Sequence, residues 1–246
     1  MLERLVDSPR PWAPPQRPWI MAQTWNDLLF AHWSVPAANL RPLLPAGLQL
    51  DIHMDKAWVG VVPFHITDIH LRGVPPVPFL SAFPELNVRT YVVHNGKPGV
   101  WFFSLDAMHI AAVEVARLTY HLPYFHAWMS TRNENGTVHY KSQRRDWRAK
   151  AGAFVGSYRP ISEVFYTQPD TLEHWLTARF ALYAADRKGI IYRGEIAHQP
   201  WTLQLAEAKI EVNTVAQSHG ITLPDEPPLL HFAKRLEVIT WTAERA

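Results

Sequence analysis

Glu85, Asn87, Arg89 and Tyr91 occupy every second position of the stretch Glu85–Val93. Successive side chains of a strand point to opposite faces, so these four share one face and Leu86, Val88, Thr90 and Val92 share the other. An acid, an amide, a guanidinium and a phenol in one row can exchange protons with a bound carbonyl compound and grip an anionic group by paired hydrogen bonds. The same row is also what the solvated outer face of a half-buried sheet looks like, with Glu85 and Arg89 as an ordinary ion pair. Tyr124 and His126 share a face of a second expected strand, and Arg179 and Tyr183 lie on one stripe of an expected helix. From these we take Glu85 and Tyr124 as candidate catalytic residues. Asn87, Arg89, Tyr91, His126, Arg179 and Tyr183 are candidate ligand-binding residues.

Other chemistries find less support. His65 and His70 are five apart, as are His121 and His126. A shared helix face needs a spacing of three or four and a strand face an even one, so these pairs do not make a metal site. Gly156-Ser157-Tyr158 lacks the second glycine of a nucleophile elbow, and neither a phosphate loop nor a dinucleotide fingerprint occurs. Without cysteine there is no disulfide, thiol nucleophile or thiolate metal site. No metal and no cofactor are expected.

The row must be held by a sheet. His94-Asn95-Gly96-Lys97-Pro98-Gly99 reads as a turn, and Val100–Leu105, with Trp101, Phe102 and Phe103, as the returning strand. Ala107–Tyr120 is helix-compatible, with Ala111, Val115 and Leu118 on one face, and Pro123 ends it. Before the row, Trp19–Trp33 reads as strand and Pro36–Leu44 as a short helix. Leu48–His53 and Ala57–Ile69 form an expected hairpin around Met54-Asp55-Lys56. Residues 72–84, a Gly/Pro loop with Leu80 and Phe83, could act as a lid or as a core plug. After the row, Tyr124 opens a strand that turns at Asn135-Gly136 and returns over 137–147, and Phe154–Pro160 is another. Asp170 and Glu173 make a capping pair for a helix over 171–185, whose apolar stripe is Leu172, Trp175, Leu176, Phe180 and Tyr183. Arg179 lies on that stripe and needs a partner if buried. Ile190–His198 and 231–242 read as strands; 201–216 is ambiguous between strand and helix. The fold class is therefore mainly β (α+β): a large curved antiparallel sheet or barrel-like core with two or three flanking helices. Residues 1–18 are an extended Pro-rich arm and 19–246 a single domain.

Several segments resemble the acetoacetate decarboxylase-like superfamily, and specifically its YqjF-like branch. They are Phe30-Ala31-His32-Trp33-Ser34-Val35-Pro36, Arg41-Pro42-Leu43-Leu44-Pro45-Ala46-Gly47-Leu48, Ala57-Trp58-Val59-Gly60-Val61-Val62-Pro63-Phe64 and Pro200-Trp201-Thr202-Leu203. Glu85 matches the superfamily's active-site glutamate, and Leu122-Pro123-Tyr124-Phe125-His126 falls where a Phe-Pro-Lys-Lys segment would be. The decarboxylase forms a Schiff base through a lysine of that segment. Here Tyr124 and Phe125 stand there, and a phenol cannot form an imine with a ketone. None of Lys56, Lys97, Lys141, Lys150, Lys188, Lys209 and Lys234 lies in the segment. The resemblance thus implies the fold and a ligand pocket, without Schiff-base decarboxylation. It also implies a homodimer or higher homo-oligomer.

The 246 residues, 48% of them hydrophobic, suffice for one sizeable core. A formal charge of +2 without a basic, aromatic-interleaved run argues against nucleic acid. The densest basic cluster, Arg144, Arg145, Arg148 and Lys150, reads as a solvated strand end. The N-terminal residues carry charge and proline where a signal peptide needs an apolar core, and no apolar run reaches membrane-spanning length. The expected location is cytoplasmic and the expected partner a small-molecule ligand, with no membrane association. Three function classes stay open. One is an acid–base enzyme of lyase or isomerase type acting on a carbonyl or carboxylate metabolite. The others are a non-catalytic ligand-binding protein and a structural or partner-binding protein.

Overall fold

The computed structural model describes residues 2–77 and 81–246. Its alternating, aromatic and β-branched stretches become strands because such side chains pack on a pleated surface. The strands are β1 (Met21–Val35), β2 (Gln49–Leu50), β3 (Ala57–Leu71), β4 (Phe83–His94), β5 (Lys97–Ala107), β6 (Tyr124–Glu134) and β7 (Thr137–Arg144). They continue as β8 (Ala153–Pro160), β9 (Phe165–Tyr166), β10 (Ala181–Ala185), β11 (Ile191–His198), β12 (Thr202–Asn213), β13 (Leu229–Thr240) and β14 (Glu244–Arg245). The α-helices among the described residues are α1 (Ala37–Leu40), α2 (Ile110–Tyr120) and α3 (Leu172–Thr177).

Strand pairing runs β4–β5–β6–β7–β8–β12–β13–β1–β3 and returns to β4. The sheet is mostly antiparallel as expected, and mixed through the pairings of β5. β5 pairs in parallel with both β6 and β10, because α2 carries the chain across between β5 and β6 where a tight hairpin would have made them antiparallel. β5 is also forked: its first half pairs with β10 at Val100 and Trp101, its second half with β6 at Leu105–Ala107. β13 forks in the same way, taking β12 at His231 and Phe232 and β11 at Val238–Thr240. Space opens between the two branches, and the site lies there.

Both Asn-Gly turns form as expected. Asn95-Gly96 and Asn135-Gly136 have positive φ at both residues, the geometry of a two-residue hairpin whose twist matches its strands. Other expectations are corrected. The helix over 171–185 ends at Thr177, and 181–185 is strand β10. The edge of β5 supplies hydrogen-bond partners, and Phe180, Leu182 and Ala184 alternate with Ala181 and Tyr183 as a strand requires. The α3 cap is Thr171, whose hydroxyl accepts from the His174 backbone N–H at 3.3 Å; Asp170 lies just outside it at φ 67°. Residues 53 and 56 form only an isolated bridge, and β2 pairs with β4. The ambiguous 201–216 segment is strand β12 through Asn213. On α2 it is Val113 that is buried, while Leu118 is 77% exposed; the side chain of Val115, like Leu80, lies outside the described residues. Phe83 belongs to β4.

The basic cluster is a solvated strand end only in part: Arg145 and Lys150 are exposed, whereas Arg144 and Arg148 are paired. Arg144 has no exposed side-chain surface and pairs with Asp106 at 2.8 Å, and Arg148 pairs with Asp146 and Glu114. In the N-terminal arm, Leu2–Leu5 is a single 3-10 turn with Leu5 buried.

Gly99 lets β10 approach β5. A Cβ there would stand 2.6 Å from the Ala181 carbonyl oxygen and 2.7 Å from the Tyr183 ring, and the carbonyl cannot rotate away. Gly99→Val is therefore expected to lower stability by about 1–3 kcal/mol. Amide exchange should speed up in 181–185 before it does in β7 and β8. Equal loss of protection across all strands would show that Gly99 does not hold this particular pairing.

Candidate functional site

β4 is buried along 83–92 on both faces, so the solvated-face reading of Glu85, Asn87, Arg89 and Tyr91 fails. Leu86 and Val88 point into the main hydrophobic core. Glu85, Asn87 and Arg89 point the other way, into a cavity of about 450 Å³. Most of its wall is apolar, with Trp25, Val62, Phe64, Phe83, Phe102 and Trp201 prominent. Charged groups enter it at four places: Glu85, Arg89, Arg179 and Glu195. No lysine is among the described lining residues.

Glu85 is held from two strands. Its backbone pairs with Phe64 of β3 and Ala107 of β5, and its carbonyl accepts from the Tyr140 hydroxyl at 2.7 Å. Its carboxyl accepts from the Tyr124 hydroxyl at 2.9 Å. Tyr124 opens β6, which α2 brings into parallel pairing with the end of β5. The Glu85–Arg89 ion pair does not form among the described residues.

Burial dominates the electrostatics. Removal from water pushes the Glu85 carboxyl up to about 8; the Tyr124 hydrogen bond opposes this and the nearby Asp106 adds to it. Burial, then the neighbouring Glu85, holds Tyr124 well above the ordinary tyrosine value. At neutral pH both groups therefore keep their protons.

Arg89 and Arg179 form the second polar region. Arg89 stacks over Phe30 at 5.1 Å and Tyr91 at 5.7 Å, and has no carboxylate partner among the described residues. Arg179 is the partnered residue that its apolar surroundings required: it donates to Asp51 at 2.6 Å and to the Trp175 carbonyl at 2.7 Å. It sits between α3 and β10, off any helix. Arg179 also lies 4.9 Å over Tyr91, so the two guanidiniums share one ring.

Tyr91 itself is fully buried behind them, its hydroxyl 2.6 Å from His32 Nε2. Burial and then the neighbouring Arg89 depress His32 well below its ordinary value, so it is neutral. His126 and Tyr183 are not in the site. His126 shares its strand face with Tyr124 as expected, but β6 runs outward from the cavity, and Trp128 on that face is 64% exposed. The helix error misplaced Tyr183, whose hydroxyl donates to the Lys97 carbonyl at 2.9 Å away from the cavity.

Sequence reasoning missed Glu195, His198, Asp51 and Trp201 as site residues. Glu195 is a buried carboxylate gripped by Arg10 and Trp12 from the N-terminal arm, and by Arg193 and Lys97. The available signal was the alternation of Arg193 and Glu195 within the expected strand Ile190–His198. His198 stacks on Phe180 at 4.8 Å and is driven by burial down to about 4.

This sheet with its forked strands, an inward-facing glutamate and a tyrosine at the following parallel strand defines an acetoacetate decarboxylase-like fold without the imine-forming lysine. The chain resembles a Legionella pneumophila acetoacetate decarboxylase at TM-score 0.62 and 12% identity, covering 100% of this chain and 94% of that one. The enduracididine biosynthesis enzyme MppR, solved with pyruvate, superimposes at TM-score 0.63 and 10% identity over 96% and 93% of the two chains. At such identities the likeness is one of fold. Residues 22–237 match DUF2071, described as an uncharacterized conserved protein, and the chain belongs to that family. It is 50% identical to the uncharacterized protein YqjF of Bacillus subtilis (strain 168), over 91% of each chain.

The raised Glu85 value has a thermodynamic sign. Between the ordinary 4.5 and about 8, the folded protein binds a proton that the unfolded chain has released. The stability this group contributes is present below 4.5 and lost as pH rises through about 8. Relative to Glu85→Gln, the wild type should lose on the order of 3–5 kcal/mol between pH 5 and 9 in urea unfolding. Asp106, raised to about 6, titrates in both proteins and drops out of the difference. Parallel curves would mean that Glu85 titrates normally. Tyr124→Phe removes the hydrogen bond that opposes the shift, so the Glu85 carboxyl band in infrared titration should move to higher pH.

Proposed function

We propose that this protein binds a small molecule bearing a carbonyl or carboxylate group in the cavity and moves a proton on it through Glu85, without imine chemistry. The observation that carries the reading is the buried Glu85–Tyr124 hydrogen bond in the cavity wall, with Glu85 raised to about 8. A carboxylate of that value is a stronger base than an ordinary one, and its acid form is available at neutral pH. About one Glu85 in ten is ionised at pH 7. In that form it can take a proton from the carbon next to a bound carbonyl, becoming the neutral acid as the electron pair moves to the carbonyl oxygen. Return of a proton from the acid to carbon restores both partners. Tyr124 keeps its proton throughout and serves as a hydrogen-bond donor that holds the carboxyl.

Three observations support this reading: most of the cavity wall is apolar, no lysine lies among the described lining residues, and a fold neighbour was solved with pyruvate. The class is a lyase- or isomerase-type enzyme. We further propose a cytoplasmic protein of one domain over 19–246 with a packed arm. Separately, no helix of the described residues is long and apolar enough to cross a membrane. The alternative of a ligand-binding protein without turnover draws on the same cavity, whose wall is mostly apolar.

The test is a thermal-shift screen of wild type and Glu85→Gln against keto acids, hydroxy acids, lactones and aromatic carboxylates, followed by deuterium incorporation into each hit. Hits that carry a C–H next to a carbonyl should exchange it for deuterium in D2O at a rate rising with pH through about 8. Glu85→Gln should lower that rate by about 10²–10⁴-fold. Binding without exchange above the Glu85→Gln level would establish the ligand-binding alternative. No binding by any compound would count against the cavity as a ligand site.

A further inference from the structure

Two arginines of the cavity lining, Arg89 and Arg179, lie over the same Tyr91 ring. Arg179 is neutralised by Asp51 at 2.6 Å. Arg89, only 9% exposed, has no acidic partner among the described residues. The other charged and titratable groups nearby do not balance it. Glu195 is taken by Arg10, Arg193 and Lys97. Glu85 holds its proton at neutral pH, and His32 and His231 are both pushed toward the neutral form by burial. A buried guanidinium beside a second one is costly unless an anion joins it. Arg89 Nε and Arg179 Nη2 also make no hydrogen bond, and neither does Asn87 Oδ1 between Arg89 and Glu85.

The size of the cavity adds a second constraint. At about 30 Å³ per water-sized group, 450 Å³ holds roughly fifteen non-hydrogen atoms. A three-carbon keto acid has six and would leave most of the apolar wall unfilled. Much of the rest of the lining, Trp25, Phe64, Ile69, Leu71, Phe83 and Trp201 among it, offers apolar contact.

We infer that the ligand is an amphiphilic monocarboxylate of roughly ten to fifteen non-hydrogen atoms, its carboxylate held by Arg89 beside Arg179 and its apolar body along Trp25, Phe64, Phe83 and Trp201. This rests on the proposed cavity function and specifies its substrate class. The carboxylate completes the charge balance that the protein leaves open, and the body displaces water from the apolar wall.

The experiment compares decanoate, 1-decanol, butyrate and pyruvate by isothermal titration with wild type and Arg89→Met. Wild type should bind decanoate at least tenfold tighter than decanol and tighter than butyrate or pyruvate. Arg89→Met removes no ion pair, and should bind decanoate and decanol alike with decanol affinity within about twofold of wild type. The wild-type comparison stands even if the variant does not fold. Equal binding of decanoate and decanol by wild type overturns the anion site and leaves the cavity function intact. Tighter binding of pyruvate or butyrate than decanoate overturns the size argument alone. A folded Arg89→Met that still prefers decanoate moves the anion away from Arg89 and overturns the assignment. Binding of none of the four overturns the inference; the cavity function falls with it only if the wider thermal-shift screen is also blank.

Discussion

The structure depends on keeping the polar face of β4 dry. Strand β4 runs between β3 and β5 and is buried on both sides, so Glu85, Asn87 and Arg89 have no bulk water to solvate them. Desolvation is the largest influence on Glu85, and the single hydrogen bond from Tyr124 does not offset it. A carboxyl that costs stability above pH 4.5 is a poor structural choice, since a glutamine or leucine would be cheaper to bury. Groups with strongly shifted values in a cavity are candidates for function on that ground.

Among the described residues, the other buried charges are paired, apart from Arg89. Asp106 receives Arg144, Asp51 receives Arg179, and Glu195 receives Arg10. These pairs join distant parts of the chain: Arg10 brings the N-terminal arm onto β11, and Arg179 ties the α3–β10 turn to the segment after β2. They act as fixed points for the wall, because breaking one leaves its partner buried and unpaired. Arg89 lies over the rings of Phe30 and Tyr91 and has no acidic partner among the described residues. Its place along β4 follows a register shift against β5 between Val88 and Arg89, and bulges of this kind commonly re-aim side chains beside functional sites.

With Tyr124 rather than a lysine beside Glu85, the scaffold presents a hydroxyl and no amine at this place. A lysine in this place would be a nucleophile. A phenol pushed well above its ordinary value is neither a nucleophile nor an acid at neutral pH, and remains a hydrogen-bond donor. Under the proposed function the proton-moving group is Glu85, whose carboxyl accepts the hydrogen bond of the Tyr124 hydroxyl. Fold likeness at 10–13% identity carries no more than the scaffold, so chemistry has to be argued from these side chains.

The sequence by itself determined the parts that depend on local chemistry. Alternation set the common face of Glu85, Asn87, Arg89 and Tyr91. The Asn-Gly pairs set two hairpins through positive φ, and the aromatic and β-branched stretches set a mainly β chain. The YqjF-like resemblance and the missing lysine were also readable. Tertiary structure decided whatever depended on distant partners. Whether the Glu85 face met water or a cavity turned on closure of the pairing circuit through β3 and β5. The stretch after Thr177 became a strand because the edge of β5 lay open beside Gly99, which no local pattern reveals. Tyr183 left the site with that change. His126 left it because β6 carries its inward face out past the cavity. Glu195 and Asp51 entered it through ion pairs with residues more than a hundred positions away, a separation at which sequence spacing holds no information about contact.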